Sequence, residues 1–122
     1  MLRENHTAVV ARNEHWSGAC ATEPHEAGWA TEAVIFVRAL QIEPPQAPAE
    51  DLAEPDTWLP DVRVQVSADG MRWIDEGTRF PMPESTAFDT FARVSHFGNW
   101  LRVVTELPAG VAVKVLVTVH LK

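Results

Sequence analysis

Five histidines, one cysteine and 17 carboxylates are the side chains of this 122-residue chain that could do metal, nucleophilic or acid–base chemistry. Cys20 and His25, with Glu23 and Glu26 close by, form the one local cluster of metal-ligand type. A structural zinc site takes four such ligands, and a catalytic one takes three. One cysteine and one histidine do not close a site, so these residues read as solvated loop positions, and no metal or other cofactor is expected. Ser95 and His96 are adjacent, as are Trp16 and Ser17 after His15. Neighbours on a strand point to opposite faces, so Ser95 and His96 would not meet there as nucleophile and base. No Gly-x-Ser-x-Gly and no Gly-x-Gly occurs. The carboxylate pairs Glu50-Asp51 and Asp75-Glu76, which could suggest glycoside hydrolysis, diverge in the same way or lie in a loop. The expectation is a protein without catalytic residues.

Aromatic side chains offer a different chemistry, that of binding. There are five tryptophans, five phenylalanines and no tyrosine. Trp73 and Trp100 fall within apolar alternation and read as core anchors. Trp29 and Trp58 lie beside loop signals, where an indole can serve a sugar ring or a partner protein as a platform. It can equally fold back and seal one end of the domain.

Charge narrows the class of partner. Ten basic residues against 17 acidic ones leave a net charge of −7. Sequence-independent binding to nucleic acid needs a basic face, so nucleic acid is not expected. No apolar run reaches the roughly 20 residues that span a bilayer, so membrane insertion is not expected. The first residues show no apolar stretch behind Arg3, so no secretory leader is expected, and the chain reads as cytoplasmic or as a virion component. The single cysteine excludes an internal disulfide.

Valine supplies 15 residues and threonine nine, and both suit a pleated surface better than a helix. Val111, Val113, Val115, Val117, Val119 and Leu121 share one parity, which predicts a long strand with one apolar face. Trp100 to Leu107 reads as the strand before it, and Pro108-Ala109-Gly110 as a hairpin turn between them. A second hairpin is predicted over 61–76. Val62, Val64 and Val66 alternate with polar residues, Asp69-Gly70 supplies the turn, and Met71 begins the return strand. Val34-Ile35-Phe36-Val37 predicts a central strand over 30–42, buried on both faces. Thr7–Arg12 and His15–Ala21 predict two short strands. Residues 84–98 fit helix or strand, with strand favoured from about residue 90. Residues 43–61 hold five prolines, six acids and no base, and predict an exposed, partly polyproline-like loop.

The segment Val64-Gln65-Val66-Ser67-Ala68-Asp69-Gly70-Met71-Arg72-Trp73-Ile74-Asp75 resembles the Ser-x-Asp-Gly-x-x-Trp hairpin of discoidin-like domains, the galactose-binding-like jelly rolls. Trp100-Leu101-Arg102-Val103-Val104 and the closing strand follow in the same order. The resemblance covers residues 61–122 and implies a jelly-roll sandwich. The N-terminal half matches no motif of that family, and sugar binding is not carried over with the likeness.

The resulting expectation is a single domain over 1–122, an all-β antiparallel sandwich of jelly-roll or discoidin-like type with seven to eight strands. Its expected role is a non-catalytic structural or accessory subunit that binds protein or itself within a larger assembly. Two alternatives are a carbohydrate-binding module using exposed tryptophans and a small cupin-like metal enzyme. The expected contact surface is Trp29, Trp58, Trp100, Val111 and Val113. Six apolar side chains on one face span eleven residues, more than the usual strand length of about 5–6, so part of that face is expected to lie beyond its own core.

Overall fold

Period-2 alternation builds nearly everything in the computed structural model, which describes residues 5–46 and 53–122. Among these residues the strands are β1 (His6–Ser17), β2 (Ala19–Ala21), β3 (His25–Glu26), β4 (Glu32–Glu43), β5 (Asp61–Ser67), β6 (Ile74–Pro81), β7 (Asp89–Ser95), β8 (Trp100–Glu106) and β9 (Ala112–Leu121). A single helical turn, α1 (Pro55–Trp58), precedes β5. The strands form a four-stranded sheet in the order β1-β9-β4-β7. A five-stranded sheet runs β2-β8-β5-β6, with β3 also pairing β8. Every pairing is antiparallel. The two sheets pack face to face as an all-β sandwich, as the alternation predicts.

The core is the layer between the sheets. Val113, Val115, Val117 and Leu121 of β9 are fully buried there, beside Ile35 and Val37 of β4. Val62, Val64, Leu101 and Val103 meet them from the other sheet. Burying one valine contributes about 1.5–3 kcal/mol, so this layer dominates the stability of the fold.

Several local expectations change. Thr7–Arg12 and His15–Ala21 are not two short strands. Residues 6–17 run as one strand along β9, with register shifts between Val9 and Ala11 and between Ala11 and Glu14. Asn13 absorbs the second shift at φ 52, a left-handed conformation that asparagine tolerates. β4 is buried on one face only. Ala33, Ile35, Val37 and Ala39 point inward, while Val34 and Phe36 are half-buried and Arg38 and Leu40 are exposed.

Pro108-Ala109-Gly110 does not close a hairpin. β8 belongs to the five-stranded sheet and β9 to the four-stranded one, so the turn carries the chain across the core. Leu107 and Val111, both buried, flank that crossing. Two strands with apolar faces can share one core by facing each other, and local alternation does not distinguish that from lying side by side.

The 61–76 hairpin is present, but its return strand begins at Ile74 rather than Met71. Gly70 has φ +80, as the turn requires. Residues 84–87 are bend and turn, and strand resumes at Asp89. Of the 43–61 loop, residues 47–52 lie outside the described part. Its far end turns through α1 and packs Trp58 and Leu59 against the core.

Candidate functional site

Side chains of residues 5–9, 32–38, 89–95 and 116–122 on the outward parity make a regular grid on the four-stranded sheet. Strand register sets its rows. Ser95, Glu32 and Lys122 share the first row, since Glu32 and Lys122 exchange backbone hydrogen bonds. Arg93, Val34, His120 and Thr7 form the second. Phe91, Phe36, Thr118 and Val9 form the third, and Asp89, Arg38 and Leu116 the fourth.

The grid has an aromatic centre. The Phe36 and Phe91 rings lie 5.8 Å apart, and the His120 imidazole meets Phe36 edge-on at 5.2 Å. The His120 Nδ1 lies 3.3 Å from the Thr7 hydroxyl. The Arg93 guanidinium rests over the Phe91 ring at 5.1 Å, a cation–π contact. Phe91 is 46% exposed and Val9 40% exposed. Arg38 donates two hydrogen bonds to the Asp89 carboxylate, at 2.9 and 3.2 Å, and that pairing raises the Arg38 pKa. A groove of about 630 Å³ opens over the first two rows. Val34 and Phe36 supply its apolar wall, and Glu32, Arg93, Ser95 and His120 its polar one. That volume falls within the range of small-ligand sites.

The outer face of the five-stranded sheet is a hydrogen-bonded network. Arg63 and Gln65 each donate to the Asp75 carboxylate, at 3.0 and 2.9 Å. The Gln65 amide, and then the charge of Arg63, hold that carboxyl below the usual carboxylate range. Arg102 donates to the Gln65 oxygen at 3.0 Å, and its guanidinium stacks over Trp73 at 4.3 Å. Every named group there has a partner, so the network reads as self-contained.

The residues expected at a contact surface are scattered. Val111 and Val113 lie inside the sandwich, 2% and 0% exposed, and have no surface to offer a partner of the folded chain. The remaining side chains of that valine face are also internal, so its length serves the chain's own core, where β9 is the central strand between β1 and β4. Trp100 is half-buried on the outer face of the other sheet, against Gly70. Trp58 donates its indole N–H to the Ala53 carbonyl at 3.1 Å and packs on the core. Trp29 alone is well exposed, at 48%, with the His6 ring edge-on at 4.9 Å. Trp73 is no core anchor, since it stacks on Arg102 outside the sandwich.

Cys20 and His25 do not converge. They pair with Thr105 and Leu101 of β8, which sets them about 13 Å apart along the strand. Cys20 donates instead to the carbonyls of Ser17 and Gly18. Burial pushes its thiol pKa up, and the Glu14 carboxylate adds to the rise. Among the described residues no three His, Cys, Asp or Glu side chains gather, and no helix is long and apolar enough to cross a membrane.

No known family model matches the chain, and no curated protein does. Phe36, Phe91, Arg93 and His120 were not singled out by sequence reasoning. The signal available was weak: the second parity of 32–40 carries Val34, Phe36 and Leu40, more apolar atoms than a plain solvent face needs.

Proposed function

We propose that this chain is a non-catalytic binding domain, a structural or accessory subunit that seats a protein partner on the outer face of its four-stranded sheet. The observation that supports this reading is the Phe36–Phe91–His120 cluster. It is a solvent-accessible apolar centre ringed by charged side chains, on a chain whose valine strand is already covered. Interfaces commonly join a central aromatic patch to a polar rim of this kind. The hairpin at 67–73 and the order of the closing strands resemble discoidin-like jelly rolls, and we read the domain as one of that general architecture. An intracellular complex or a virion would be its setting.

The test is a partner purified from crosslinked source cells and then rebound in pure form. Phe36→Asp should weaken that complex by tenfold or more, the effect of losing an interface hot spot. Arg72→Glu, in the opposite sheet's hairpin, should not. Equal binding by Phe36→Asp would overturn this assignment of the face.

Carbohydrate is the second reading, and the groove beside Val34 and Phe36 favours it. Its apolar wall and mixed-sign polar wall suit a hydroxylated ring. Titration with mono- and disaccharides while following the His120 imidazole resonance separates the two readings, because a saccharide seated in the groove should shift it and a domain without sugar affinity should leave it unmoved.

A further inference from the structure

Sheet edges are natural sites of strand addition, and proteins ordinarily blunt them. Three edges of this sandwich are blunted. β1 breaks register twice, β2 and β3 have three and two residues, and β6 breaks register and ends on Pro81. The fourth is different. β7 pairs all seven of its residues with β4 without a shift and contains no proline.

Its backbone faces outward in a determined pattern. The His96 N–H donates to the Thr31 carbonyl at 3.0 Å, just beyond the Glu32–Ser95 pair. Antiparallel ladders alternate hydrogen-bonded and non-bonded pairs. The N–H and C=O groups of Ala92 and Val94 therefore turn toward β4, and those of Asp89, Phe91, Arg93 and Ser95 turn away from it, on the side where β6 packs nearby without pairing. Among the described residues no β-strand pairs there.

The outward side chains of this strand are self-complementary. Asp89 and Arg93 stand two residues either side of Phe91. In an antiparallel pair of two such strands centred on Phe91, Asp89 of each copy lies opposite Arg93 of the other, and the two Phe91 rings meet on the two-fold axis. Closely opposed residues in such a pair lie about 4.5–5.5 Å apart, within reach of both contacts. Arg93 has no acid partner among the described residues, only the Phe91 ring. The Asp89 carboxylate is held by Arg38, yet ionised carboxylates accept about four hydrogen bonds, so it can take a second cation.

We propose that β7 is a homodimerisation edge: two copies of this chain pair through β7, antiparallel and centred on Phe91, to join their four-stranded sheets into one of eight strands. The contact is isologous, so it closes at two copies. A single strand edge is a small interface, so the dimer should be weak and dissociate on dilution. The inference rests on the edge and its charges, not on any other partner, and is tested on the purified chain alone.

Sedimentation of the wild type over a concentration series should show a monomer–dimer equilibrium. Asp89→Arg and Arg93→Asp should each weaken it by tenfold or more, because each sets like charges opposite one another. An equal mixture of the two variants should form a heterodimer, since both opposed pairs then carry unlike charge. A wild type that stays monomeric to about 500 µM overturns the proposal. So does Asp89→Arg dimerising like wild type, the result expected if the strands pair about Ala92 and set Asp89 opposite Ser95. Should Asp89→Arg fail to fold without its Arg38 pair, amide exchange of the wild type decides. Exchange at Phe91 and Arg93 should slow as concentration rises, and exchange independent of concentration overturns the proposal.

Discussion

The indole of Trp100 occupies the space into which any side chain on Gly70 would project, 3.1 Å from the position of a Cβ atom. Gly70 is held there by its turn. Its N–H donates to the Ser67 hydroxyl at 2.9 Å, and Ser67 pairs with Trp100 across the β5–β8 ladder. The glycine is thus required twice, once for φ +80 and once for the tryptophan. Gly70→Val should destabilise the domain by at least about 1 kcal/mol, read as a lower urea midpoint. Gly18 also has positive φ but nothing within 4 Å of a Cβ, so Gly18→Ala should cost less than Gly70→Ala.

Asp69 organises the same turn. Its Oδ1 accepts hydrogen bonds from the Met71 and Arg72 N–H groups at 2.8 and 3.0 Å, and from the Ser67 hydroxyl at 3.1 Å. The Arg72 and Met71 bonds, then that of Ser67, hold its carboxyl below the ordinary value. A depressed folded pKa contributes stability above the unfolded carboxylate pKa, and that contribution is lost as pH falls through the folded one. Asp69→Ala should therefore be less stable than wild type near neutrality. The gap should close in urea titrations as pH drops below about 4, the unfolded carboxylate value.

Burial on β9 separates two neighbours. Val115 is fully buried, and Lys114, opposite His15 and Gln41, is exposed. Val115→Ala should cost about 2 kcal/mol through lost transfer energy and a residual cavity. Lys114→Ala should change stability by less than about 0.5 kcal/mol. Equal effects would mean that this strand does not have one buried and one exposed face.

Cys20 should be a poor nucleophile in the folded protein. Its thiol pKa is raised, first by burial, which favours the unreactive neutral thiol. Its reaction with an aromatic disulfide reagent should be at least about tenfold slower in native buffer than in urea, since the thiolate is the attacking species.

Alternation along the chain marked the main strands and the apolar parity of β5 and β9, but not the one-sided burial of β4, the bounds of β1 and β6, or the place of Trp73. The inward set Val113 to Leu121 and the Gly70 turn were legible because both depend on contacts or torsions a few residues long. Tertiary structure alone decided what covers each face. The valine face is as apolar as an interface, yet it is the middle of its own core because β9 lies between β1 and β4. The 108–110 turn has the residues of a hairpin, yet it crosses between sheets. Phe36 and Phe91 are 55 positions apart in sequence and become neighbours only through the β4–β7 register. A strand's period is set by its own backbone geometry, whereas its neighbours are set by burial summed over the whole chain. Local pattern therefore predicts the strands, and only the assembled sheets reveal which of their faces and edges remain open.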